Sequence, residues 1–129
     1  MICDYCGNEA EKATGGDIYP GRDDLSGHSL WVCYPCDARV GCHRGTWEPL
    51  GTMANAELRR ARQNAHSKFD LLWKRGFMTR GQAYRWLADH MDLHIDDTHI
   101  GRFDLEQCIE VVRASSKKLG EIKSDIHVN

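Results

Sequence analysis

Four of the six cysteines in this chain form two pairs of identical spacing, Cys3-x-x-Cys6 and Cys33-x-x-Cys36. Each pair can turn two thiolates toward a common centre from one short loop while neighbouring amides point inward, which is the donor set and spacing of a closed tetrahedral zinc site. The tetrad predicts one structural Zn2+ per chain, supplying folding energy and leaving no open position for catalysis. Thioredoxin-like redox chemistry would require a pair at the start of a helix in a βαβ context, whereas both pairs here sit among loop-prone and strand-prone residues. A disulfide framework would require an oxidising compartment. The first residues carry no cationic start followed by an apolar stretch, so a cytoplasmic location with reduced thiols is expected. Cys42 and His43 follow closely behind Cys36 and could join the metal or support it from outside. Cys108 lies in an apolar helical pattern, as a buried free thiol would.

A second group of candidates is cationic. The net charge is only −2, but residues 39–85 hold ten basic and three acidic groups, against two and seven in residues 1–38 and five and nine in residues 86–129. A local positive field attracts phosphates even on a slightly acidic molecule, because charges more than ~8 Å away are largely screened at physiological salt. Within this island Arg59, Arg62, His66, Asp70 and Trp73 fall in one sector of about 80° on a helix. With Arg44, Lys74 and Arg75, the cations of that sector are candidate contacts for nucleic acid or another anion. Two readings stay open. In one, the strip faces an anion and Asp70 orients His66; in the other, it is a polar seam between layers. A catalytic version would be phosphodiester-directed, with His66 as base and the arginines as anion stabilisers, but it lacks a nucleophile and metal carboxylates. His94 and His99, with Asp96 or Asp97, are spaced as caps and surface groups rather than as a second metal site. Trp31, Trp73 and Trp86 read as core or seam residues, and Trp47 and Tyr34 as candidate contacts.

The elements that must position these groups follow from pattern. "GDIYP" and "SLWVC" are short β-prone runs flanking the turn-rich "GRDDLSG", and "ARVGCH" could add a third strand, so a zinc ribbon is expected over residues 1–45. "GTWEPLG" breaks regular structure. From Met53 to Lys74 the residues Ala54, Leu58, Ala61, Ala65, Phe69 and Leu72 recur at helical spacing. Gly76 ends that helix, and Thr79 with Gln82 forms a capping box for a second one running to about Met91. "DLHIDDTHIG" reads as an ordered loop. Asp104 and Gln107 repeat the capping box, with Phe103 and Cys108 as its hydrophobic staple, and open a third helix over roughly 104–115. The expected fold class is therefore α+β: a small N-terminal ribbon of antiparallel strands packed on a three-helix segment spanning residues 46–115, with a fraying polar tail at 116–129. No run of apolar residues is long enough to span a bilayer, so no membrane partner is expected.

Taken together, "CDYCGNEAEKATGGDIYP", "WVCYPCDARVGCHRGT", "PLGTMANAELRRARQNAHSKFDLLW" and "MTRGQAYRWLADHM…THIGRFDLEQCIEVV" resemble a family of small zinc-finger-domain proteins of phages and prophages, over residues 1 to about 113. The resemblance implies phage origin, hence a host cytoplasm and a host-interacting role. The leading functional expectation is a nucleic-acid-binding accessory or regulatory module that uses the basic strip on the long helix. The alternative is an adaptor or inhibitor that binds a host or phage protein, and the third is the phosphodiester-directed enzyme.

Overall fold

Three short strands pair into one antiparallel sheet in the order β1 (Glu11–Thr14), β2 (Ser29–Cys33), β3 (Ala38–Gly41). The computed structural model describes the backbone of residues 1–128 and the side chains of residues 1–125. Strands β2 and β3 are the expected runs. The first strand is not "GDIYP" but "EKAT", a few residues earlier. Pairing decides this: Ala13 stands opposite Leu30, and these two with Val32 form a small buried cluster on one face, flanked by Ile18 and Tyr19. The chain after β1 instead turns into a single helical turn, α1 (Gly15–Ile18). Thr14 starts that turn, donating from its amide and hydroxyl to the Asp17 carboxylate, both at 3.0 Å. Gly15 is required there by close approach, since a Cβ on it would lie 1.6 Å from the Leu25 carbonyl oxygen.

The chain divides into two compact units, Met1–Arg59 and a second beginning at Arg60. A second buried cluster of the first unit joins Cys3, Ala10, Cys33, Ala38 and Met53. Met53 is drawn into this cluster, so the long helix α2 (Ala56–Lys74) starts three residues later than its periodicity suggests. Asn55 marks the start by accepting from the Leu58 amide at 3.0 Å, which satisfies one of the free donors at a helix N-terminus.

In the second unit, α2 continues to Lys74, and α3 (Arg80–Met91) and α4 (Leu105–Val128) follow. Both predicted capping boxes are present. Thr79 and Gln82 exchange bonds of 2.9 and 3.1 Å, and Asp104 and Gln107 bonds of 3.0 and 2.8 Å. The stretch between α3 and α4 is ordered as two 3₁₀ turns, Ile95–Asp97 and Ile100–Arg102, pinned by buried Thr98 and Ile100. Phe69, Leu72, Leu87, Phe103, Cys108 and Val111 are fully buried and form the apolar interior. The expectation of a helix ending near residue 115 with a fraying tail is corrected: α4 runs to Val128, and Asn129 lies outside the described residues. Val111, Ser115 and Leu119 are buried at successive spacings of four, so tertiary burial carries the helix through a polar sequence. Among the described residues no helix is long and apolar enough to cross a membrane.

Candidate metal centre

Two tight turns, each followed by a left-handed residue, present the paired cysteines. In the first, the Gly7 amide donates to the Cys3 carbonyl at 2.9 Å and the Cys3 amide to the Asn8 carbonyl at 2.8 Å. In the second, the Asp37 amide donates to the Tyr34 carbonyl at 3.1 Å. The residue after each pair is left-handed, with φ of +76° at Gly7 and +49° at Asp37. Glycine adopts that conformation freely, and aspartate is one of the few other residues that tolerate it. In the first turn the Tyr5 amide points at Cys3 Sγ, 3.4 Å away; the matching position of the second is Pro35, which has no N–H, and there the Cys36 amide serves Cys33.

The four sulfurs of Cys3, Cys6, Cys33 and Cys36 all lie within 4.8 Å of one another, and Cys6 Sγ is 3.7 Å from Cys33 Sγ. Tetrahedral zinc with Zn–S bonds of ~2.3 Å places its sulfurs ~3.8 Å apart, so the tetrad has both the soft donor set and the spacing for one zinc ion. Crowding makes the thiols unequal. Burial resists ionisation of Cys3, but the amides of Tyr5 and Cys6 and the thiols of Cys33 and Cys6 more than offset this, bringing it to about 7. Burial and then the neighbouring sulfurs of Cys6, Cys33 and Cys3 push Cys36 up to about 12. At Cys33 the Cys36 amide pulls downward, while burial and the thiols of Cys3 and Cys6 raise it on balance. A divalent cation among them would favour the thiolate at every position.

A model of a zinc-finger-containing domain matches residues 1–118. The chain belongs to that family. No curated protein and no solved structure gives a significant match. The family description agrees with the sulfur geometry: this is a zinc-finger-containing domain with a four-cysteine cluster able to bind one metal ion, as structural zinc requires.

Neither Cys42 nor His43 belongs to the group of close sulfurs. Their backbones are occupied in sheet-like pairing, the Cys42 amide with the Ser29 carbonyl at 3.0 Å and the His43 amide with Glu48 at 2.9 Å. Burial raises the Cys42 thiol.

Arg59, a candidate for anion contact, supports the second cysteine turn. Its guanidinium donates to the Asp37 carbonyl, to Asp37 Oδ2 at 3.2 Å and to the Ala54 carbonyl at 2.8 Å. Arg39 adds a salt bridge to the same carboxylate at 3.5 Å, and the Arg39 and Ala54 backbones pair through bonds of 3.0 and 3.1 Å. The first turn is anchored likewise, the Tyr5 hydroxyl accepting from the Asn55 amide at 3.1 Å. Sequence reasoning overlooked Asp37 and Tyr5 as partners of the centre; the available signal was Asp37 at the position matching Gly7.

The other candidates are dispersed. Arg62 donates to the Phe103 carbonyl at 3.0 Å. Asp70 accepts from the Trp73 indole at 3.2 Å and faces Lys74 at 3.9 Å, and among the described residues no hydrogen bond joins it to half-buried His66. Arg44, Lys74 and Arg75 are exposed. Trp47 packs edge-on against Trp31, whose indole donates to the Trp47 carbonyl at 2.8 Å, and Lys12 lies over both rings.

Proposed function

We propose that this zinc-finger-containing protein is a nucleic-acid-binding accessory module in which Cys3, Cys6, Cys33 and Cys36 hold structural zinc and the corner between α2 and α3 contacts backbone phosphates. The observation that carries the reading is the charge at that corner. Residues 60–85 contain seven basic groups and one acid, and Lys74, Arg75, Arg80 and Arg85 are all exposed around the turn that joins the two helices. Gly76, at φ +78°, makes the turn possible. Only Lys74 of the four has a carboxylate within salt-bridge reach among the described residues. Arg59 and Arg62 already donate to internal carbonyls, so the phosphate contacts shift from the start of α2 to its end. Trp73 and Tyr84 supply aromatic faces beside the cations, with Arg80 5.7 and 4.8 Å from their ring centres.

The test is the salt dependence of binding to single- and double-stranded oligonucleotides. Each phosphate contact contributes a logarithmic slope of about −0.7 to −0.9. Replacing Lys74 and Arg75 together by alanine should flatten the slope by roughly one to two units at unchanged zinc content. Absence of binding by the wild-type protein at low salt would reject the reading. An adaptor role is favoured in that case by a separate feature of the second unit, a groove of about 670 Å³ bordered by Leu71, Val112 and Ile109, the last of them 59% exposed.

A further inference from the structure

Beside the α2–α3 corner, within the second unit, a cleft of about 360 Å³ is lined by Arg80, Tyr84, Arg85, Ile95, Thr98 and His99. We infer that this cleft is a binding pocket for a phosphate monoester carried on a nucleoside, whether as a free nucleotide or as the phosphorylated end of a strand. It goes beyond the strand-binding reading, because it requires a cleft that takes a ligand end rather than a charged surface alone.

The walls of the cleft have one sign of charge. Two guanidinium groups and an imidazole border it, and no carboxylate does. Among the described residues neither Arg80 nor Arg85 has an acidic partner within 4.0 Å. The nearest acids in the adjoining 3₁₀ turn are Asp96 and Asp97; Asp96 is engaged with His94 at 3.5 Å, and neither lines the cleft. Cations lining one cleft without counter-charge repel each other, and a bound anion relieves that cost. Two positive charges match a monoester, which carries about −1.5 to −2 at neutral pH, better than a diester with one.

The frame is rigid where the anion would sit. Tyr84 packs edge-on against fully buried Phe69, with ring centres 4.9 Å apart, and the Arg80 guanidinium lies over Tyr84. Arg80 is therefore held by an aromatic face rather than left free to sweep. On the opposite side Thr98 is 1% exposed and fixed by its hydroxyl bond to the His94 carbonyl at 2.9 Å, which sets the backbone that carries His99. The cleft is larger than a phosphate needs and falls at the low end of small-molecule sites, ~300–1,000 Å³. Tyr84 and Ile95 supply apolar surface for the sugar and base.

The experiment is a titration of the zinc-loaded full chain with thymidine monophosphate, with thymidine, and with a short oligothymidylate bearing or lacking a terminal phosphate, followed by the backbone amide resonances of Arg85, Thr98 and His99. Thymidine monophosphate should shift them saturably and thymidine should not, and the terminal phosphate should strengthen the oligonucleotide's effect at these residues. Arg85→Gln should weaken the monophosphate roughly ten- to hundredfold, the loss of a charge-assisted bond, without disturbing resonances of the first unit. Equal shifts with thymidine and its monophosphate, or none with either, overturn the pocket. If the monophosphate fails while oligonucleotides bind through Lys74 and Arg75, the pocket falls and the strand-binding proposal stands. If the monophosphate binds and oligonucleotides show no salt-dependent affinity, the pocket stands and the strand-binding proposal falls.

Discussion

Replacing Arg59 by alanine tests whether this residue belongs to the metal centre or to a nucleic-acid surface. The guanidinium is 21% exposed and bonds two carbonyls and one carboxylate, while the Asp37 side chain is 64% exposed. The ion pair itself therefore contributes at most ~1 kcal/mol. Each carbonyl bond from a charged donor is worth ~1.5–3 kcal/mol, reduced where water can take the donor's place. Water reaches Asp37 readily, and the carbonyl of Ala54, a residue only 2% exposed, keeps its bond from the Arg39 amide at 3.0 Å when the guanidinium is removed. The expected loss is about 1–2 kcal/mol, or roughly 5- to 30-fold in the folding equilibrium of the metal-loaded unit. Because metal binding and folding are linked in a small zinc module, zinc affinity should weaken by a similar factor. Competition with a chromophoric chelator measures the affinity, and urea denaturation the stability. Arg59→Lys keeps the charge without the forked geometry and should recover only part of the loss. An Arg59→Ala protein with wild-type zinc affinity and denaturation midpoint would refute the reasoning, and a loss confined to nucleic-acid binding would return Arg59 to the charged surface.

Protein purified without added metal should contain one zinc per chain by elemental analysis, and Cys33→Ser should release it and unfold the first unit, seen as loss of amide dispersion for residues 1–59. Gly15→Ala should destabilise the first unit by about 1–3 kcal/mol because its Cβ meets a backbone carbonyl, whereas Gly16→Ala, with nothing nearer than 3.7 Å, should be nearly neutral in the same denaturation assay. Glu110 is held at about 2, below its ordinary 4.5, first by Arg113 and then by His90. A depressed carboxylate stabilises the fold above the unfolded value and loses that contribution as pH falls from about 4.5 toward about 2. Carbon-detected titration of Glu110 should accordingly show its midpoint rising toward 4.5 in Arg113→Gln, and an unmoved midpoint would contradict the assignment.

The sequence by itself determined the parts whose cause is local. Each C-x-x-C turn is closed by its own amides and by a residue able to take positive φ, so the two halves of the metal centre are legible without the rest of the chain. The capping boxes at Thr79 and Asp104 are likewise three-residue devices, and both helices begin where those residues stand. What tertiary structure decided depends on groups distant in sequence. "EKAT" pairs as a strand because Ala13 finds Leu30 and Val32 across the sheet, although "GDIYP" has the stronger intrinsic β character. The polar run after residue 115 stays helical because Leu119 is buried along the same stripe as Val111 and Ser115. Arg59 and Arg62 share a helix face, and their periodicity is the same whether they meet phosphate or protein. Their carbonyl partners lie 22 and 41 residues away at Asp37 and Phe103, and only the folded backbone brings those acceptors within hydrogen-bond reach.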